Sequence, residues 1–238
     1  MSPFHRHRAL ALLAERWPAL ATDTPLELAA LDSILTSTVP SLRVVRQQPK
    51  GPAYEVAVAQ GEVPTRAGSW HDVFNVLAFA CFPHAKQALH ARMLALQHAR
   101  RSALEPGTRH NDRSREEDAL ALLDECSLIV IGTPAAIAAY EAAEHDTLAP
   151  AGLDHLDHVV RTHTLRARVL GHALHEHLVH ERPPIHVLRV TLPLPNPTWT
   201  AADTLLAERI ASGGFPAPTR SGRLPWPDAR IDAWLDPP

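Results

Sequence analysis

The chain has 238 residues, 45% of them hydrophobic, enough for one sizeable packed domain without cross-links. Its 23 basic and 26 acidic residues leave a net charge of -3, which excludes the global positive field of a nucleic-acid or anionic-membrane binder and favours a small molecule or a protein as partner. Cys81 and Cys126 lie in apolar runs without CxxC or His/Cys spacing, so buried reduced thiols in a cytoplasmic protein are expected rather than a disulfide framework or a zinc site.

The basic start leads into Ala9 to Ala14, too short for a secretory core and followed at once by Glu15-Arg16. No segment approaches the roughly 18–20 apolar residues of a membrane span. Leu and Ala spacing predicts amphipathic helices over Arg6 to Leu20 and Pro25 to Leu35. Arg43 to Arg46 and Tyr54 to Val58 alternate or carry β-branched residues around the turn Pro49-Lys50-Gly51-Pro52, which suits a hairpin or two edge strands. Ser69 starts the strongest helical segment, with Val73, Phe74, Leu77 and Ala80 on its apolar face, continuing to about Arg100 with a break at Pro83. A polar loop follows to Arg115, and within it Glu105 to Arg113 is the expected mobile segment.

Helix is predicted over Arg115 to Glu125, a buried strand over Ser127 to Ile131 and helix over Pro134 to Glu144. Leu153 to His180 reads as a long helical region broken near Thr162 to Thr164, its clearest part being Leu165 to His180. Ile185 to Leu192 alternates as a strand, and Ala201 to Ile210 is helical. From Pro183 onward the last 56 residues hold 11 of the 22 prolines, so segment 183–238 should be largely extended and pinned by Trp226 and Trp234. The fold class expected is α+β: a mostly helical single domain with a small β-sheet and an extended Pro-rich C-terminal tail.

Three polar clusters carry the candidate chemistry. In the first, Ser69 and Asp72 form an S-x-x-D cap pattern. His71, Asp72 and Asn75 share one helix face near the positive N-terminus, with Arg66 just upstream, which fits either a hydrogen-bonding knot or the wall of an anion pocket. In the second, Ser114 to Glu117 is a capping box, Asp118 and Glu125 lie two turns apart, and Asp124 and Glu125 oppose the dipole at a helix end and need a partner. In the third, Gly171 to His180, His172 and Glu176 have the i,i+4 spacing that lets one helix face hold a metal ion or bury a His–Glu pair. The order is H-x-x-x-E and not the H-E-x-x-H of zinc proteases, and no phosphate loop or nucleophile signature is present. Only Lys50 and Lys86 are lysines, against 21 arginines, so either Lys86 is kept because its ammonium is needed or the two lysines survive by accident.

Val63-Pro64-Thr65-Arg66, Trp70 to Asn75, Phe82-Pro83 with Lys86, Asp118 with Asp124-Glu125, and Gly171-His172-Ala173 with Glu176 together resemble a bacterial family called domain of unknown function 3025. The resemblance spans about Tyr54 to Glu176 and extends weakly to Leu224 to Pro227. Ala121 departs from it, standing where the family pattern has threonine. The family has no assigned reaction, so the resemblance implies a shared fold and site. The expectation is one pocket in which His71, Asp72, Asp118 and Glu125 do catalytic work, Arg66, Asn75 and Lys86 hold a small anionic molecule, and His172, Glu176 and Asp124 bind a divalent metal ion for hydrolysis. The alternative is a non-catalytic binding or scaffold protein whose polar residues form a buried structural network.

Overall fold

The computed structural model describes residues 3–22, 24–102, 113–143, 150–213 and 223–238. The expectation of mobility for Glu105 to Arg113 lies almost wholly outside them. In chain order come α1 (Arg8–Arg16), α2 (Leu28–Thr38), β1 (Arg43–Arg46), α3 (Tyr54–Ala59), β2 (Glu62–Thr65), α4 (Trp70–Cys81), α5 (Pro83–Ser102), α6 (Arg115–Glu125) and β3 (Ser127–Gly132). They are followed by α7 (Pro134–Ala142), α8 (Pro150–Thr162), β4 (Arg166–Val169), α9 (His172–Val179), β5 (Ile185–Pro193), α10 (Trp199–Ala211), β6 (Arg223–Trp226) and α11 (Ala229–Trp234). Mixed helix and strand, with helix predominating, matches the α+β expectation.

The central sheet runs β4-β3-β5-β6, with β3 and β5 parallel and both edge strands antiparallel to their neighbours. Every residue of β3 is buried, because both faces are covered. Alternation then divides the core in two: Leu128 and Val130 join a cluster with α1, α4, α8 and α9, while Ile129 and Ile131 join one with α5, α6 and α10. Burying each such side chain contributes about 1.5–3 kcal/mol, so β3 anchors both halves.

The α4–α5 pair frames the site. Ser69 caps α4 by accepting from the Asp72 amide at 3.3 Å. Pro83 opens α5 where its missing N–H costs nothing, and the amides of His84 and Ala85 donate to the Asp203 carboxylate of α10 at 2.9 and 2.8 Å, a cap supplied by a neighbouring helix.

Several expectations are corrected. Tyr54 to Val58 belongs to helix α3 and not to a strand, and β1 pairs in parallel with β2, so there is no hairpin. Leu165 to His180 is not one helix. Arg166–Val169 pairs antiparallel with β3, and helix resumes only at His172. The 183–238 segment holds β5, α10, β6 and α11, though Trp226 and Trp234 are buried as expected. Among the described residues, no helix is long and apolar enough to cross a membrane.

Candidate metal and substrate site

An open cavity of about 340 Å³ lies where α3, α4, α5, α6 and α9 meet. Tyr54 and Glu55 of α3, Arg66 after β2, and His71, Asp72 and Asn75 of α4 form one side. His90 of α5, Asp124 and Glu125 at the end of α6, and His172 at the start of α9 form the other.

His172 reaches this cavity because of the residue before it. A Cβ on Gly171 would lie 2.2 Å from the Ser127 amide nitrogen and 2.6 Å from that of Cys126, so only glycine lets α9 begin against the start of β3. The His172 ring is then 2% exposed, with Nδ1 2.8 Å from the Asp124 carbonyl oxygen. That oxygen can only accept, so Nδ1 carries the hydrogen and Nε2 a lone pair. Burial, with help from Lys86 and His71, pushes the His172 pKa down to about 3, so the ring is neutral at pH 7.

The His71 Nδ1 donates to Glu176 Oε2 at 3.0 Å, and its Nε2 faces His172 Nε2 at 3.0 Å. Two imidazole nitrogens this close need either a shared proton or a metal cation bound by both. Glu125 Oε2 lies 3.5 Å from His172 Nε2, and His71, Glu125 and His172 offer ligand atoms all within 4.8 Å of one another. Burial and the Asp124 charge raise the Glu125 pKa, as expected of a carboxylate awaiting a positive partner.

Beneath the cavity floor lies the only other lysine. Lys86 is 0% exposed, donates to Asn75 Oδ1 at 2.8 Å, forms an ion pair with Asp124 and sits 4.9 Å from the centre of the Phe79 ring. Burial alone raises the Asp124 pKa, but the charge and hydrogen bond of Lys86 outweigh it and hold the carboxyl well below the usual range. Asp72 behaves alike: burial is overcome by Arg66, which donates its backbone N–H at 2.6 Å and two guanidinium nitrogens at 2.9 and 2.7 Å.

The expected site residues therefore come together with altered roles. Asp118 does not join them: it is exposed near the start of α6 and does not line the cavity. Glu176 is no partner of His172. It orients His71 and is itself held by Arg182 at 3.2 Å. The Asp124 carboxylate is committed to Lys86, and only its main-chain oxygen orients His172. Lys86 is enclosed and cannot grip a substrate, and Asp72 accepts from Arg66 instead of capping its own helix. His175 and His177 of the same helix are buried as well.

Tyr54 and His90 were missed. His90 is 4% exposed, stacks on Phe79 at 5.3 Å, and its ring nitrogens meet no hydrogen-bond partner among the described residues. Its position one turn after Lys86 on the same helix was the available signal.

The fold and site together define an α+β protein with a His/Glu/His cluster able to hold a metal ion. Residues 42–221 match the family described as "Protein of unknown function (DUF3025)", and the chain belongs to that family. No curated protein and no solved structure matches the chain.

Proposed function

We propose that His71 Nε2, His172 Nε2 and Glu125 Oε2 bind one divalent metal ion, and that the protein is a metal-assisted hydrolase of a small substrate. The observation that carries this reading is the pair of Nε2 atoms facing each other at 3.0 Å, with a carboxylate oxygen 3.5 Å from His172 Nε2. Two imidazoles and one carboxylate with an open fourth side are the donor set of catalytic zinc sites. Glu176 and the Asp124 carbonyl supply the outer hydrogen bonds that fix ring orientation in such sites, a contribution worth about 10–100-fold in metal affinity. The bound ion would lower the pKa of water and polarise an oxygen of the substrate. His71 and His172 hold their Nε2 atoms toward each other, and Asp72, locked by Arg66, keeps the adjoining wall in place.

Protein purified without chelators should carry close to one zinc or manganese per chain by elemental analysis, and His172→Ala should lose it. Iron in place of either would overturn hydrolysis in favour of oxygen chemistry, because the same donor set serves iron oxygenases. Metal-free wild-type protein whose melting temperature does not move with added zinc or manganese would replace this reading with the structural network, the two imidazoles then sharing a proton.

A further inference from the structure

The floor of the cavity aims one more group at whatever binds there. The Lys86 ammonium can only donate, so the Asn75 atom 2.8 Å from it is the amide oxygen. The Asn75 NH2 must then face Tyr54, and it donates to Tyr54 Oη at 2.7 Å. A phenol that accepts keeps its own hydrogen for another acceptor, and none of the described residues takes it. Tyr54 stands where the main cavity joins a smaller cleft of about 90 Å³, and Gln47, Tyr54 and Pro64 line both. The cleft is mixed in character, with Val45, Pro52 and Ala57 beside Gln48 and the opposite charges of Arg46 and Glu62.

The charge on the wall narrows the ligand. Glu55, Asp72, Asp124 and Glu125 line the main cavity; Arg66 answers Asp72 and the enclosed Lys86 answers Asp124, which leaves the charges of Glu55 and Glu125. A bound divalent ion would balance these two charges, so the occupied site offers no net positive charge to a second anion.

We propose that Tyr54 is a catalytic hydrogen-bond donor to the carbonyl oxygen of an uncharged ester or amide, the rest of the substrate extending into the Gln47–Pro64 cleft. This rests on the metal-assisted hydrolase reading. In the reaction the oxygen of water bonds to the carbonyl carbon, the C=O π bond opens, and negative charge grows on the oxygen facing Tyr54. The C–O or C–N bond then breaks. The acyl product keeps the hydroxyl of water, and the alcohol or amine leaves with the other proton. Tyr54 keeps its own hydrogen throughout, since burial and the Asp124 charge push its ionisation far above neutral pH. A fixed donor at such an oxygen contributes about 10²–10³ in kcat.

The test compares zinc-loaded wild type, Tyr54→Phe and His172→Ala. Tyr54→Phe should bind zinc as wild type does, bind acetohydroxamate about 10-fold more weakly by calorimetry, a change of about 1.4 kcal/mol, and lose about 100-fold in kcat on p-nitrophenyl acetate with KM little changed. p-Nitrophenyl phosphate should not be turned over. Equal acetohydroxamate affinity and equal kcat in Tyr54→Phe would overturn the tyrosine assignment alone, and preferred hydrolysis of the phosphate would overturn the uncharged substrate class. Failure of wild type to take up either zinc or manganese, or ester hydrolysis undiminished in His172→Ala, would overturn the hydrolase reading itself.

Discussion

Replacing Lys86 with Met keeps the length of a fully buried side chain and removes its charge. Asp124 is left without its counter-ion, Asn75 Oδ1 loses its donor, and the contact with the face of Phe79 loses its cation. Breaking a buried pair from one side costs about 3–5 kcal/mol, and the desolvated cation–π contact adds about 2 kcal/mol. Against a total stability of about 5–15 kcal/mol, the variant should be severely weakened. Urea denaturation measures this directly, and the double variant Lys86→Met/Asp124→Asn should recover much of the loss, because neither buried charge then remains alone. The pH dependence has a definite sign. In the wild type the Asp124 pKa is depressed, so its contribution is present above the unfolded pKa and is lost as pH falls. Without Lys86, burial raises that pKa, so the penalty is largest at neutral pH and shrinks as pH falls through the raised value. A Lys86→Met cost below about 1 kcal/mol, or strict additivity of the two substitutions, would refute this account of Lys86 as a structural ammonium.

Two other substitutions probe the frame around the cavity. Gly171→Ala puts a methyl group against the main chain of Cys126 and Ser127, which cannot yield as a flexible side chain can, so the protein should melt well below wild type and bind metal poorly; an unchanged melting temperature would mean that α9 can begin farther from β3. His175 stacks on Phe74 at 5.2 Å, and burial pushes its pKa down to about 3. The unfolded chain takes up this proton near pH 6.5 and the folded chain only near pH 3, so stability falls as pH is lowered between these values. His175→Leu should flatten that fall by up to about 1.4 kcal/mol per pH unit in urea titrations at pH 4.5 to 7, and an unaltered slope would contradict a neutral buried ring.

Elements with their own punctuation were legible in the sequence. The capping box at Ser114 and Glu117 sets the start of α6, Ser69 that of α4, and Pro83 the break before α5. Where sequence reading failed, distant parts of the chain decide the backbone. Tyr54 to Ala59 alternates its valines as a strand does, yet it packs as a helix on α5 and β2. Arg166 to Val169 sits in a run of helical appearance, but β3 needs an edge partner, and Thr164, at φ 51°, turns the chain out of α8 toward it. The break near Thr162 to Thr164 was visible locally, whereas the strand beyond it depends on residues some forty positions away.

The site shows the same division at the level of atoms. Helical spacing correctly places His172 and Glu176 on one face of α9, and that spacing suggested that both grip one ion. Instead they take opposite ends of a third residue: Glu176 accepts from His71 Nδ1, and His172 faces His71 Nε2. A separation of four residues predicts proximity without saying what lies between, and the ring that lies between comes from α4, 101 residues before His172 in the chain. The orientation of His172 is still further from sequence reasoning, since its partner is the main-chain oxygen of Asp124 and not the carboxylate. Any residue at position 124 would supply that oxygen, so the signal lies in Gly171, the one residue small enough to bring the ring there. Lys86 explains why position 124 is nonetheless an acid: the aspartate charge answers the buried ammonium, while its carbonyl serves the histidine. One residue thus ties the structural ion pair to the proposed ligand set, and substitution of Lys86 should weaken metal affinity as well as stability.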